Sequence, residues 1–225
     1  MKSRFPAEML NRIERCGVVA VLVIDEVKHA VPLARALLDG GIDVMELTLR
    51  TPAAIDALRA IRQEVPDILA GIGTILTPEQ VNHVQVAGGA FGVAPGTNRR
   101  VVEAARAVGL PFAPGIATPS DLETALELGC PEVKFFPAES CGGLDYLRSL
   151  AAPYTHLGVR FIPLGGLKLE NMGAYLIDPL VLAVGGSWLA PRNLIQSGDW
   201  LAIRELATAA RSQVTKLRKW AESRA

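Results

Sequence analysis

Lys134 is the residue whose surroundings say most about chemistry. It stands in Pro131-Glu132-Val133-Lys134-Phe135-Phe136-Pro137, and lysine is almost never fully buried without a partner or a purpose. An amine held between Val133 and two phenylalanines loses part of its hydration, which favours the uncharged form that attacks carbonyls. The chemistry expected of it is a Schiff base. A second ionisable group stands where apolar residues belong, in Val44-Met45-Glu46-Leu47-Thr48-Leu49-Arg50. The two-residue period of a strand puts Glu46, Thr48 and Arg50 on one face and Met45, Leu47 and Leu49 on the other. The apolar face suits packing under outer helices, so the polar set is expected to point inward, where a carboxylate must be paired. The residues alone admit two readings: a catalytic pair, or an internal ion pair that lets the lysine stem pack against apolar neighbours.

Glycine turns offer a different capability. Leu164-Gly165-Gly166-Leu167 and Gly185-Gly186-Ser187-Trp188 each close a short apolar run, and glycine there leaves backbone N–H groups open to an anion. The segment 187–190 can begin a short helix, with the Ser187 hydroxyl as a further donor. Gly71-Ile72-Gly73-Thr74 and Ala94-Pro95-Gly96-Thr97 end two more such runs. They offer Thr74 as a hydrogen-bond donor and Pro95 as a rigid wall. The alternative for all these glycines is ordinary turn geometry and close backbone passage.

Other chemistries lack their residues. His29, His83 and His156 are scattered without a second ligand at metal spacing, so no bound metal is expected. Cys16, Cys130 and Cys141 are odd in number and form no C-x-x-C pair, which fits structural thiols in a reducing compartment. No G-x-S-x-G elbow marks a serine nucleophile. With 23 basic and 23 acidic residues no global field gathers nucleic acid, and any phosphate must be met locally. The longest apolar runs are far shorter than the ~18 residues a bilayer span requires. Glu8 and Glu14 precede the first apolar run and no small-residue cleavage site follows it, so an unsecreted, cytoplasmic chain is expected.

These residues need a scaffold that gathers strand ends. Val-, Ile- and Leu-rich runs at 18–24, 44–49, 68–72, 91–94, 112–114, 133–136, 161–164 and 181–184 alternate with amphipathic stretches at 26–38, 52–64, 78–87, 99–108 and 119–128. That is the pattern of βα units and a parallel sheet. Eight such units in 225 residues predict a single α/β domain, a (β/α)8 TIM barrel, more readily than a doubly wound sheet. An extra N-terminal helix at 3–15 is expected to cover the bottom of the barrel, and 200–223 to form the last outer helix. In that fold the two glycine turns follow strands seven and eight, where phosphate sites often lie.

Read in order, the chain contains ELTLR (46–50), GIGT (71–74), APG (94–96), PFAPGIATPSD (111–121), KFFPAE (134–139), GG (165–166) and GGSWL (185–189). From about Glu14 to Trp200 it resembles the 2-keto-3-deoxy-6-phosphogluconate (KDPG) and 4-hydroxy-2-oxoglutarate (KHG) aldolases, class I pyruvate aldolases of the (β/α)8 fold. KFFPAE and GGSWL are the specific signals. The resemblance implies Lys134 as Schiff-base lysine and Glu46 as general acid/base, with Arg50 at the pyruvate carboxylate. Thr74, Pro95 and Phe136 would line the pyruvyl pocket, and Gly165, Gly166 and Ser187 would hold the sugar phosphate. It further implies cleavage of a phosphorylated keto acid to pyruvate and D-glyceraldehyde 3-phosphate, or of KHG to pyruvate and glyoxylate, without a cofactor and in a homotrimer.

One residue departs from that pattern. Members acting on KDPG usually carry threonine just before the Gly-Gly after strand seven, whereas this chain has Leu164. The loss of a hydroxyl there bears on C4 stereochemistry and on the aldehyde accepted. Two alternatives stand beside KDPG cleavage: the related phosphogalactonate aldolases, and a phosphate-binding barrel without turnover.

Overall fold

The computed structural model describes residues 2–222. Among the described residues nine short strands all pair in parallel: β1 (Val18–Leu22), β2 (Val44–Thr48), β3 (Leu69–Gly73), β4 (Gly92–Val93), β5 (Phe112–Ala113), β6 (Gly115–Ile116), β7 (Glu132–Phe135), β8 (Arg160–Pro163) and β9 (Val184–Gly186). They form a six-stranded sheet, β5-β4-β3-β2-β1-β9, and a three-stranded sheet, β6-β7-β8. The protein is therefore an α/β fold on parallel sheets, with pairing divided between two sheets where one eight-stranded ring was expected. Isolated parallel bridges join Phe161 to Val181 and Leu164 to Gly185.

Proline and a turn account for the differences from the expected strands. The run at 112–114 is cut because Pro114 has no N–H for the ladder. Its carbonyl still accepts from the Lys134 N–H at 2.9 Å, and pairing resumes beyond it, β5 on β4 and β6 on β7. The run at 181–184 begins on a turn in which Asp178 accepts from the Leu180 and Val181 N–H groups. Continuous pairing there starts only at Val184.

Helices fill the intervals: α1 (Ala7–Cys16), α2 (Ala30–Asp39), α3 (Ala54–Glu64), α4 (Pro78–Val86), α5 (Arg99–Ala107), α6 (Pro119–Glu127), α7 (Gly143–Ala151), α8 (Met172–Leu176), α9 (Arg192–Ser197) and α10 (Trp200–Glu222), with α7, α8 and α9 in addition to those the periodicity predicts. The last residue of the expected final helix, Ser223, lies outside the described residues. Thr77 and Thr118 start α4 and α6 with capping boxes, each followed by proline at the first helical position, where its missing N–H costs nothing. Among the described residues no helix is long and apolar enough to cross a membrane.

One continuous apolar core runs through these elements. The helix expected at 3–15 forms as α1, preceded by Phe5, and Phe5 and Ile13 face the strand interior. Together with Val19, Phe91 and Val93 they enclose a space of about 20 Å³ beneath Glu46 and Lys134, room for roughly one water. The strand interior is thus sealed at its N-terminal end. Ile13 is fully buried, and Ile13→Ala is expected to destabilise the fold by about 2–5 kcal/mol, read as a lowered urea midpoint at unchanged slope.

Candidate active site

Lys134 and Glu46 sit on neighbouring parts of the interior although 88 residues separate them, with Lys134 Nζ 3.4 Å from Glu46 Oε1. Their side chains are 6% and 2% exposed. Both are on strands whose every residue is buried, β7 and β2. A charge placed there costs several kcal/mol unless it is paired, so each group makes the other tolerable. The Phe136 ring lies 5.2 Å from the ammonium, within cation–π range. Its peptide bond to Pro137 is cis.

Room for the carboxylate comes from β3. A Cβ at Gly73 would fall 1.7 Å from Glu46 Oε1, so any side chain on that residue occupies the carboxylate's place. The glycine of the GIGT run is thus a matter of close approach. The next residue, Thr74, has φ 61 and is the one non-glycine with positive φ among the described residues. For a β-branched side chain that conformation costs on the order of 1–3 kcal/mol, and it occurs just past the end of β3.

Arg50 is reached differently from Glu46. The strand stops at Thr48, whose hydroxyl donates to the Leu22 carbonyl at 2.9 Å, and the Arg50 N–H folds back onto the Thr48 carbonyl at 2.8 Å. Arg50 therefore sits in a turn, outside the alternation that suggested its face, and is exposed. It lines an open cavity of about 500 Å³ together with Gly166, Ser187 and Trp188.

Gly165 and Gly166 have φ 96 and 83, a left-handed pair that side chains rarely adopt. They bring the turn after β8 over the Phe136 ring and the Glu139 side chain, which a Cβ at either residue would meet. Glu139, the last residue of KFFPAE, accepts a hydrogen bond from the Tyr175 hydroxyl. The short helix expected to begin at Ser187 is a 3-10 helix, Ser187–Leu189. Pro95 is exposed beyond β4. Thr74 and Pro95 share a strand-end position with the others but line neither the enclosed space nor the open cavity. Among the described residues no group of His, Cys, Asp and Glu could hold a metal.

The departure residue is part of the interior. Leu164 is 4% exposed, shares the enclosed space with Glu46 and Lys134, and packs so closely on Gly185 that a Cβ there would lie 2.6 Å from its Cγ.

A buried lysine and a carboxylate thus meet among the strands, and beyond the strand ends lie an arginine and two glycine turns. A family model described as KDPG and KHG aldolase matches residues 9–206. The chain belongs to the KDPG and KHG aldolase family. It is 49% identical over 187 residues, 83% of its length and 88% of the relative's, to the 2-dehydro-3-deoxy-phosphogluconate aldolase of Treponema pallidum. To the KHG/KDPG aldolase of Escherichia coli it is 44% identical over 193 residues, 86% of this chain and 90% of that one. The crystal structure of KDPG aldolase from Legionella pneumophila, with pyruvate captured at low pH as a covalent carbinolamine, matches with TM-score 0.85 at 40% identity, covering 89% of this chain and 97% of that chain.

Sequence reasoning about this aldolase missed part of the rim. Asp25, just past β1, is held by Arg192 Nε at 2.9 Å and by the Gln196 amide at 2.8 Å, and Arg192 lines the open cavity. No local pattern announces a contact across 167 residues. The Arg192 guanidinium, and then the Gln196 amide, lower the Asp25 carboxyl from 3.8 to about 2. A depressed carboxyl stabilises the fold above its unfolded value, and that contribution disappears as pH falls through the folded value. Asp25→Asn is therefore expected to lower the urea midpoint at neutral pH, with the difference from the parent shrinking between pH 3.8 and about 2.

Proposed function

We propose that this protein is a class I aldolase that cleaves KDPG to pyruvate and D-glyceraldehyde 3-phosphate. The observation that carries the reading is the buried Lys134–Glu46 pair, 3.4 Å apart, above an interior closed by Phe5 and Ile13. A single catalytic domain does this work. We read the two sheets as one closed (β/α)8 barrel, because β5 and β6 are consecutive pieces flanking Pro114 and the Leu164–Gly185 bridge brings the end of β8 to β9.

The roles follow from position. Lys134 Nζ adds to the C2 ketone, and loss of water leaves an iminium. The C3–C4 bonding pair flows into that iminium while the C4 hydroxyl gives up its proton, and the aldehyde departs. Glu46, in reach of the nitrogen, takes the proton that the amine releases on addition and gives it to the departing carbinolamine hydroxyl, then takes the C4 hydroxyl proton and returns it to C3 of the enamine. Hydrolysis of the pyruvate imine frees the lysine. Arg50 offers a planar fork to the carboxylate, Thr74, Pro95 and Phe136 bound the pyruvyl end, and Gly165, Gly166 and Ser187 receive the phosphate. The electron sink is the iminium itself.

Leu164 supports a second reading. An apolar side chain beside the reacting pair supplies no hydroxyl for the C4 oxygen, so the phosphogalactonate epimer competes with KDPG as substrate. Parallel assays on both epimers and on KHG rank the three. We also infer a cytoplasmic homotrimer from the family resemblance; light scattering is expected to give three times the chain mass, and a monomer mass removes the claim.

Borohydride trapping with pyruvate, followed by peptide mapping, is expected to place a pyruvyl adduct on Lys134. Lys134→Met is expected to lose both adduct and turnover. Glu46→Gln is expected to keep the adduct while kcat falls by about 10²–10⁴. Absence of an adduct on the parent protein refutes the mechanism and favours a phosphate binder without turnover. Because removing one partner of a buried pair costs about 3–5 kcal/mol, circular dichroism accompanies each variant.

A further inference from the structure

We propose that Lys168 is a specificity-determining residue that pairs directly with the substrate phosphate; the proposal rests on the aldolase reading and adds a residue to it. The open cavity is lined by three cations, Arg50, Lys168 and Arg192, and by no carboxylate. Arg192 is already spent on Asp25. Lys168 is exposed and forms no ion pair within the described residues. Glu170, two residues on, stands outside the cavity wall.

The backbone beneath Lys168 is fixed. Its N–H donates to Asn171 Oδ1 at 2.7 Å, and Asn171 Nδ2 donates to the Gly166 carbonyl at 3.3 Å. The Met172 N–H closes the turn on the Lys168 carbonyl at 3.0 Å. One asparagine side chain thus ties Lys168 to the glycine whose φ of 83 shapes the phosphate turn. The flexible four-carbon stem then carries a point charge to the rim of the same cavity. A phosphate dianion attracts such a cation more strongly than a monoanion does, and the attraction weakens with salt. With Arg50 assigned to the carboxylate and Arg192 neutralised, Lys168 is the cation left for the other end of the substrate.

The test compares the parent enzyme, Lys168→Ala and Lys168→Arg on KDPG and on unphosphorylated KHG, with calorimetric titration of glycerol 3-phosphate into each. Lys168→Ala is expected to lower kcat/KM for KDPG by about five- to tenfold, the size of a partly screened charge contact. The loss should fall on KM, vanish on KHG, shrink at high salt, and be largely restored by Lys168→Arg. Glycerol 3-phosphate should weaken by the same factor. Equal losses on both substrates, or none on either, overturn the proposal. If the parent cleaves neither substrate the aldolase reading fails by itself, and the titration still decides Lys168: weaker binding supports it and unchanged binding overturns it.

Discussion

A lysine and a glutamate buried against each other set the terms for the rest of the molecule. Neither Lys134 nor Glu46 could be sunk among apolar strands alone, because an isolated buried charge costs several kcal/mol. Together, at 3.4 Å, they fit. The pair in turn dictates its neighbours. β3 must offer glycine where Oε1 lies, and an aromatic ring must cover the ammonium from the strand end. α1 and Phe5 must close the interior from below with apolar surface.

The buried pair and the rim rest on different physics. At the bottom the groups are few, buried and held by strands. At the rim they are exposed, carried on turns, and arranged by hydrogen bonds between segments distant in sequence. Asn171 holds the Gly166 turn, and Arg192 and Gln196 hold Asp25. Such a division keeps the buried pair in a fixed setting, while at the exposed rim a residue change costs little stability. Leu164 sits between these zones, buried like the pair yet adjacent to the glycine turn.

The turns near the buried pair include an unfavourable backbone conformation. Thr74, at φ 61, and the left-handed Gly165 and Gly166 all follow strand C-termini, and Thr74 is the one non-glycine among the described residues with positive φ. A surrounding of short parallel strands over-determines these turns, which is the condition under which unfavourable backbone persists.

Much was legible along the chain because it is local. The alternation of apolar runs with amphipathic stretches gives strands and helices by periodicity, and the misfit of Glu46 and Lys134 follows from residue type against pattern. The glycine turns follow from composition. What the chain order could not contain is distance between strands. That Lys134 faces Glu46 across 88 residues depends on parallel register, which packing sets. Arg50 left the face that alternation assigned it because β2 ends at Thr48. Pro114 split a strand by a missing donor. The clamp of Asp25 by Arg192 and the place of Lys168 at the cavity rim arise only when the turns after β1, β8 and β9 are folded to one end. Local periodicity determined which residues were available; three-dimensional closure decided which of them meet.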